Sequence, residues 1–250
     1  MDCPVQGAPV TWGGWVVDSQ LRWVLDLFNE HELPYWLNSG TLLGLMREGQ
    51  LLEGDEDIDL SLWAEHEGAL RELLPHFKRA GYQVLVVSYQ GQRFQYNFSL
   101  RSGERRRTID LSLFRRCGEQ AWCPEYYFKV QPRRGAGKKK GFLGLVRSVM
   151  RFFWRRLIAL VPVRVSISAW PWRLFVHQAT WWIPAVYFDS LEFHPALGAF
   201  IPADWRGYLE FRYGNWKVPC KDWVFHRDDG GFRPVPPVRI CGLKGGGGES

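Results

Sequence analysis

Two periodicities take turns along the first half of the chain. From Val17 to Phe28, the apolar residues Val17, Leu21, Val24, Leu25 and Phe28 recur at helical spacing. Pro34 stops that helix, and Tyr35-Trp36-Leu37 reads as a short buried strand. Ser39 to Met46 predicts a second helix with Ser39 as its cap. From Asp57 to Trp63 the pattern changes to strict alternation: Ile58, Leu60 and Leu62 face one way, Asp57, Asp59 and Ser61 the other. Leu70, Leu73, Leu74 and Phe77 restore helical spacing, and Gly81 closes the helix. Strands then follow at Tyr82–Ser88, Arg93–Leu100 and Arg107–Phe114. In the last of these, Ile109, Leu111 and Leu113 alternate with Asp110 and Ser112. The order α-β-α-β-α-β-β-β predicts an α+β fold whose mixed sheet is flanked by helices.

The second half is less regular. Gln131 to Gly141 reads as a basic loop, Phe142 to Val161 as a helix, and Trp170 to Trp182 as a second, aromatic helix. Val186 to Phe200 predicts a short hairpin. Ala203 to Tyr213 predicts a helix, with Pro202 before it and Gly214 at its end. The glycine-rich stretch from Gly242 is expected to be disordered.

Composition narrows the picture. Of the 250 residues, 46% are hydrophobic and 23% charged, enough for a packed core and against global disorder. Of the 14 Trp residues, eight lie in the second half, where apolar bodies with polar tips suit pockets and interfaces. The net charge is +6, with basic clusters at Arg105–Arg107, Arg133–Arg134 and Lys138–Lys140, which favours an anionic partner. Five irregularly spaced Cys residues form neither a disulfide framework nor a CxxC knuckle, and are expected to be reduced thiols. Met1 to Gly14 has neither the basic start nor the apolar core of a secretory signal, and no apolar run reaches the length of a membrane span.

The candidate chemistry lies on the polar side of the alternating strands. Asp57 and Asp59, two residues apart on a strand, project from one face. Two carboxylates that close repel each other, and a hard divalent cation with oxygen ligands removes that cost. Asp110 has the same setting on a second strand. Three carboxylates on adjacent strands can hold two cations about 3.5–4 Å apart. A solvated strand face with Asp there by chance is the competing reading, weakened by the poor strand propensity of Asp. Gly54, Asp55 and Glu56 add negative charge just upstream, either as supporting groups or as a turn. Between strand and helix, Asn38-Ser39-Gly40-Thr41-Leu42-Leu43-Gly44 presents a helix N-terminus. Its free N–H groups and dipole suit an anion, and Gly40 allows close approach.

Together these residues resemble the LicD family, which includes fukutin and fukutin-related protein, within the nucleotidyltransferase superfamily. The resemblance rests on Leu37 to Gly44, on Asp57-Ile58-Asp59, on Ile109-Asp110-Leu111, and on Arg47 and Gly49. A second block runs from Ile201-Pro202 through Tyr208-Leu209 to Tyr213-Gly214-Asn215-Trp216 and Pro219. It covers roughly residues 20–115 and 180–230. Where family members often carry Pro-Trp before the acidic run, this chain has Glu53-Gly54. The resemblance implies a nucleotidyltransferase-like mixed sheet with a helical, aromatic-rich C-terminal extension. Residues 1–130 would form the catalytic core, 131–180 a basic amphipathic helical insertion, 181–241 a block completing the domain, and 242–250 a disordered tail.

It also implies a reaction. A phosphotransferase of this kind moves phosphocholine or a polyol phosphate from a CDP-linked alcohol donor to the hydroxyl of a sugar or lipid-linked glycan acceptor, releasing CMP. Asp57, Asp59 and Asp110 would be catalytic and would bind Mg2+ or Mn2+, with Asp110 either a ligand only or also the base. Ser39, Gly40 and Thr41 would hold the donor phosphates. Arg47 would either neutralise the diphosphate or lie on a helix surface. A nucleotidylyltransferase that leaves NMP on its acceptor uses the same metal geometry. A non-catalytic basic nucleic-acid binder is a third reading; no nucleic-acid partner is expected, because no recognition motif is present. Arg147, Arg151 and Arg155 form a stripe opposite Val146, Val149, Phe153, Leu157 and Leu160. That pattern fits either packing on the domain or peripheral membrane contact through residues 138–160. The expected location is cytoplasmic, with association at the inner membrane face as the variant the second option entails.

Overall fold

The structure, a computed structural model, describes residues 10–12, 15–89, 91–100, 107–132, 166–169 and 172–235. Its strands are β1 (Val10–Trp12), β2 (Trp15–Val17), β3 (Tyr35–Leu37), β4 (Asp57–Trp63), β5 (Tyr82–Tyr89), β6 (Gln92–Leu100) and β7 (Thr108–Cys117). They continue with β8 (Gln120–Pro132), β9 (Ser166–Ala169), β10 (Trp172–Pro184), β11 (Leu191–His194), β12 (Ala199–Pro202) and β13 (Phe232–Arg233). The α-helices are α1 (Ser19–Glu30), α2 (Ser39–Glu48), α3 (Glu67–Arg79), α4 (Val186–Asp189), α5 (Trp205–Tyr213) and α6 (Phe225–Asp228).

Among the described residues one nine-stranded sheet forms the frame, with β13-β10-β8-β7-β4-β3 in sequence and β5, β6 and β9 branching from it. Its β4–β7 pairing is parallel and its other pairings are antiparallel, so the fold is α+β with a mixed sheet flanked by helices. The register assigns each side chain to a face. Ile58, Leu60 and Leu62 sit beside Ile109, Leu111 and Leu113 on one face. All six are buried beneath α1 and α3, where Phe77 stacks on Phe98 at 3.9 Å and Phe28 meets Tyr35 at 5.3 Å.

The opposite face is split in two. At one end Trp36, Trp63 and Phe114 surround Phe188 of α4, with Trp36 stacked on it at 4.6 Å. Phe188 in turn packs on Tyr208 of α5, so the aromatic end docks the C-terminal block. The other end of the same face carries Asp57, Asp59, Asp110 and Ser112. One alternating pattern thus supplies a docking surface and a polar floor.

Several sequence expectations change. α2 is capped by Asn38, not Ser39: the Asn38 side chain accepts from the Ser39 N–H at 2.8 Å, while Ser39 is already the first helical residue. The aromatic helix expected at Trp170–Trp182 is instead strand β10 over its described part, paired with β8 from Trp172↔Pro132 to Pro184↔Gln120. Its aromatic and β-branched residues prefer a pleated surface once a partner is present. That partner, β8, carried no clear period in the sequence. Val186–Asp189, read as hairpin, forms the turn of helix α4, and β11 and β12 make the hairpin. The helix expected at Phe142–Val161 and the tail 242–250 lie outside the described residues. Among the described residues, no helix is long and apolar enough to cross a membrane.

Candidate functional site

The β3–α2 turn and strand β4 are joined through Asp59. Its N–H donates to Thr41 Oγ1 at 2.8 Å, and its Oδ2 accepts from the Gly40 N–H at 3.0 Å. Its carbonyl accepts from the Asn38 N–H at 3.1 Å. Thr41 is buried, so its hydroxyl serves this strand contact. Ser39 takes a left-handed φ of 44°, a strained setting for a residue with a Cβ. The adjoining position needs glycine for space: a Cβ on Gly40 would stand 2.6 Å from Asp55 Oδ2 and 3.4 Å from Asp59 Oδ2. The N-terminus of α2 therefore points straight at the carboxylates.

Asp55, Asp57 and Asp59 each offer an oxygen within 4.8 Å of the others, a group that could hold a metal ion. Parallel pairing places Asp110 directly beside Asp59. Burial and then the charges of Asp57, Asp55 and Asp110 push the Asp59 carboxyl well above the usual carboxylate range. Burial, followed by the hydrogen bond and charge of Asp57, pushes Asp55 up to about 7. Hard oxygen donors held close against their own repulsion are the donor set that a divalent cation fits. Arg107 braces the loop before β4, donating to the carbonyls of Asp55 at 3.1 Å and Leu52 at 3.2 Å.

These groups form the floor of a cavity of about 930 Å³, walled by the C-terminal block through Tyr213, Trp216, Trp223 and Phe225. Ser39, Gly40 and Arg47 also line it. Arg47 pairs with Glu48 at 2.7 Å and reaches the Trp216 carbonyl at 3.4 Å. Within that wall, Arg212 is 2% exposed and its Nε lies 2.7 Å from both carboxylate oxygens of buried Asp229. Arg212 Nη1 donates to the Tyr208 hydroxyl at 2.7 Å and to Ser39 Oγ at 3.3 Å. Tyr208 passes the contact on by donating to Asn38 Oδ1, and Asn38 Nδ2 donates to Ser61 Oγ at 2.7 Å. A chain of polar contacts thus runs from the C-terminal block to the cap of α2.

The structure brings Asp57, Asp59, Asp110, Ser39, Gly40 and Arg47 to one cavity, with Thr41 just beneath it. Sequence reasoning passed over Glu125, Arg212 and Asp229, named Asn38 and Tyr208 without giving them a role, and left Asp55 undecided between supporting group and turn. Asp55 had a signal, since it extends the two-residue spacing of Asp57 and Asp59 by one step. Asp229 follows Asp228 in the chain, yet Asp228 is exposed and Asp229 is buried against Arg212. Glu125 lies on β8 at the far wall. Burial, opposed by hydrogen bonds from Trp181 and Tyr126, raises its carboxyl to about 7.

A carboxylate-lined cleft at a helix N-terminus is the kind of site found in metal-dependent group transfer to and from phosphates. Residues 32–129 match the family model described as LicD/FKTN/FKRP, nucleotidyltransferase domain. Over those residues, less than half of its length, the chain is similar to the nucleotidyltransferase domain of that family. Two curated relatives align over shorter stretches. Uncharacterized protein RP689 of Rickettsia prowazekii (strain Madrid E) is 37% identical over 65 residues, 26% of this chain and 23% of that protein. Uncharacterized protein RT0683 of Rickettsia typhi (strain ATCC VR-144 / Wilmington) is 36% identical over 59 residues, 24% of this chain and 19% of that protein. The matched stretches thus span less than a quarter of either relative. Among solved structures, the crystal structure of ANT(2")-Ia in complex with adenylyl-2"-tobramycin overlaps at a TM-score of 0.31 and 19% identity, covering 42% of this chain and 55% of that one. A solution structure of the antibiotic-resistance factor ANT(2'')-Ia gives 0.30 and 20%, covering 41% and 51%. Overlaps that loose carry no weight for function.

Proposed function

We propose that this chain is a metal-dependent phosphotransferase that moves an alcohol phosphate, phosphocholine or a polyol phosphate, from a CDP-linked donor to a glycan hydroxyl. The observation that carries the proposal is the parallel register of β4 and β7, which sets Asp59 beside Asp110 under the N-terminus of α2. Asp55, Asp57 and Asp59 would hold Mg2+ or Mn2+, with Asp110 completing the group. When bound, the cation neutralises charge on the transferring phosphoryl group and on the departing CMP. The N–H groups at the start of α2, with Ser39 and Arg47, are suited to receive the donor phosphates. The acceptor oxygen bonds to the alcohol-bearing phosphorus as the bond to the CMP oxygen breaks. Asp110 is the group assigned to take the hydroxyl proton.

The test is CMP release from CDP-choline, CDP-glycerol and CDP-ribitol with Mg2+ and a sugar acceptor. The expected result is CMP with one of these donors, lost when a chelator removes the metal. Pyrophosphate release from a nucleoside triphosphate, with NMP left on the acceptor, would replace this reading by nucleotidylyl transfer.

A further inference from the structure

The cavity continues past Asp110 along the sheet face. Ser112 follows Asp110 on the same face of β7, and Gln95 is its register partner on β6. Glu125 closes that end. Its Oε1 accepts from the Tyr126 N–H at 2.8 Å and its Oε2 from Trp181 Nε1 at 2.8 Å. Arg212 lies over the Trp181 ring at 4.4 Å, but its charge is engaged by Asp229. Gln95, Ser112, Glu125 and Trp181 all line the cavity.

The two ends differ in the charge they accept. The α2 end presents the positive end of a helix dipole, Arg47 and the carboxylates that fit a cation, a match for an anionic diphosphate. The Glu125 end presents an amide, a hydroxyl and a carboxylate fixed by two donors. Phosphate against that carboxylate would meet like charge in a site of low dielectric. A neutral sugar matches it: its hydroxyls donate to the carboxylate and exchange hydrogen bonds with amide and hydroxyl. The two bonds to Glu125 hold it in place before any ligand arrives, so little orientation is lost on binding.

We infer that Gln95, Ser112 and Glu125 form the acceptor subsite, with Glu125 accepting a hydrogen bond from a hydroxyl of a neutral sugar and Trp181 holding Glu125 in position. The inference rests on the proposed transfer reaction and specifies its acceptor side. The test compares the wild type with Glu125→Gln, which keeps an oxygen for the Trp181 bond. Methyl glycosides of common hexoses and pentoses serve as probes. Three readouts are taken: transfer to the glycoside, CMP release to water, and sugar binding followed without donor by tryptophan fluorescence. In Glu125→Gln, transfer is expected to fall about tenfold or more through the acceptor KM, as for loss of a charge-assisted hydrogen bond. CMP release to water is expected to fall several-fold less than transfer, because water needs no sugar subsite. Equal loss of both activities would assign Glu125 to the metal or donor side and overturn the inference; so would unchanged transfer and sugar binding. A wild type that releases no CMP from any donor overturns the transfer reading instead. Sugar binding that weakens in Glu125→Gln would then still uphold the subsite.

Discussion

Two groups of buried charge face the same cavity and solve the problem of burial in opposite ways. On the sheet, Asp55, Asp57 and Asp59 crowd within 4.8 Å, and Asp59 is pushed well above its usual range by burial and by its neighbours. In the C-terminal block, Arg212 and Asp229 are more fully withdrawn from water than the half-buried aspartates, yet the guanidinium and carboxylate meet at 2.7 Å and cancel. The first group raises the free energy of the fold and could hold a metal ion. The second is complete within the chain and acts as a strut, tying α5 through Tyr208 to the cap of α2. Buried charge left uncompensated by the chain marks the chemistry, and compensated charge marks the frame that aims it.

The contrast can be broken most decisively at Asp59. Asp59→Asn is expected to lower turnover by about a thousandfold or more, the scale of a lost metal-charge contribution. It is also expected to raise the melting temperature of the metal-free protein by removing a carboxyl whose ionisation the fold opposes, as calorimetry in chelator would report. A lower melting temperature would place Asp59 with the frame.

The strut should respond in the reverse sense. Arg212→Met leaves Asp229 buried without its partner and is expected to cost about 3–5 kcal/mol in denaturant titration. Replacing Asp229 with Leu in the same chain should recover much of that loss, because the isolated charge is then gone.

The pH dependence sharpens the difference. Asp55 titrates near 3.8 in the unfolded chain and at about 7 in the fold, so the folded state keeps a proton that the unfolded state releases between those values. Stability from this group is full below about 3.8 and is lost as pH rises toward 7. Glu125, raised to about 7, contributes with the same sign. Melting temperatures of the metal-free protein should therefore fall across this window. Above it, Mg2+ at about a hundred times its Kd should restore about 2.7 kcal/mol.

A smaller effect is expected at Gly40. A Cβ there displaces the Asp55 carboxylate rather than backbone, so Gly40→Ala should weaken Mn2+ binding about tenfold, or about 1.4 kcal/mol, with little change in melting temperature. Unchanged binding would remove Asp55 from the cation group.

The sheet and its acidic face were legible in the sequence because one period governs both. Ile58 and Leu60 had to face the core, and that fixed where Asp57 and Asp59 point. The strut was not legible, because Arg212 and Asp229 meet only after the C-terminal block has docked through Phe188 and Trp36. Neither residue sits in a pattern that distinguishes a buried ion pair from a surface turn. Strand β10 was misread for a related reason: its aromatic run satisfies helical spacing locally, and its partner β8 decides otherwise. Glu125 lay on that same unread strand.

The central claim is that the acid group is a divalent-cation site assembled by the β4–β7 register. Calorimetric titration of Mn2+ into the wild type and into Asp57→Asn tests it most directly. Saturable binding is expected in the wild type, lost or weakened by about a hundredfold or more in the variant with its fold retained. Equal binding in the two proteins, or none in the wild type, would contradict it.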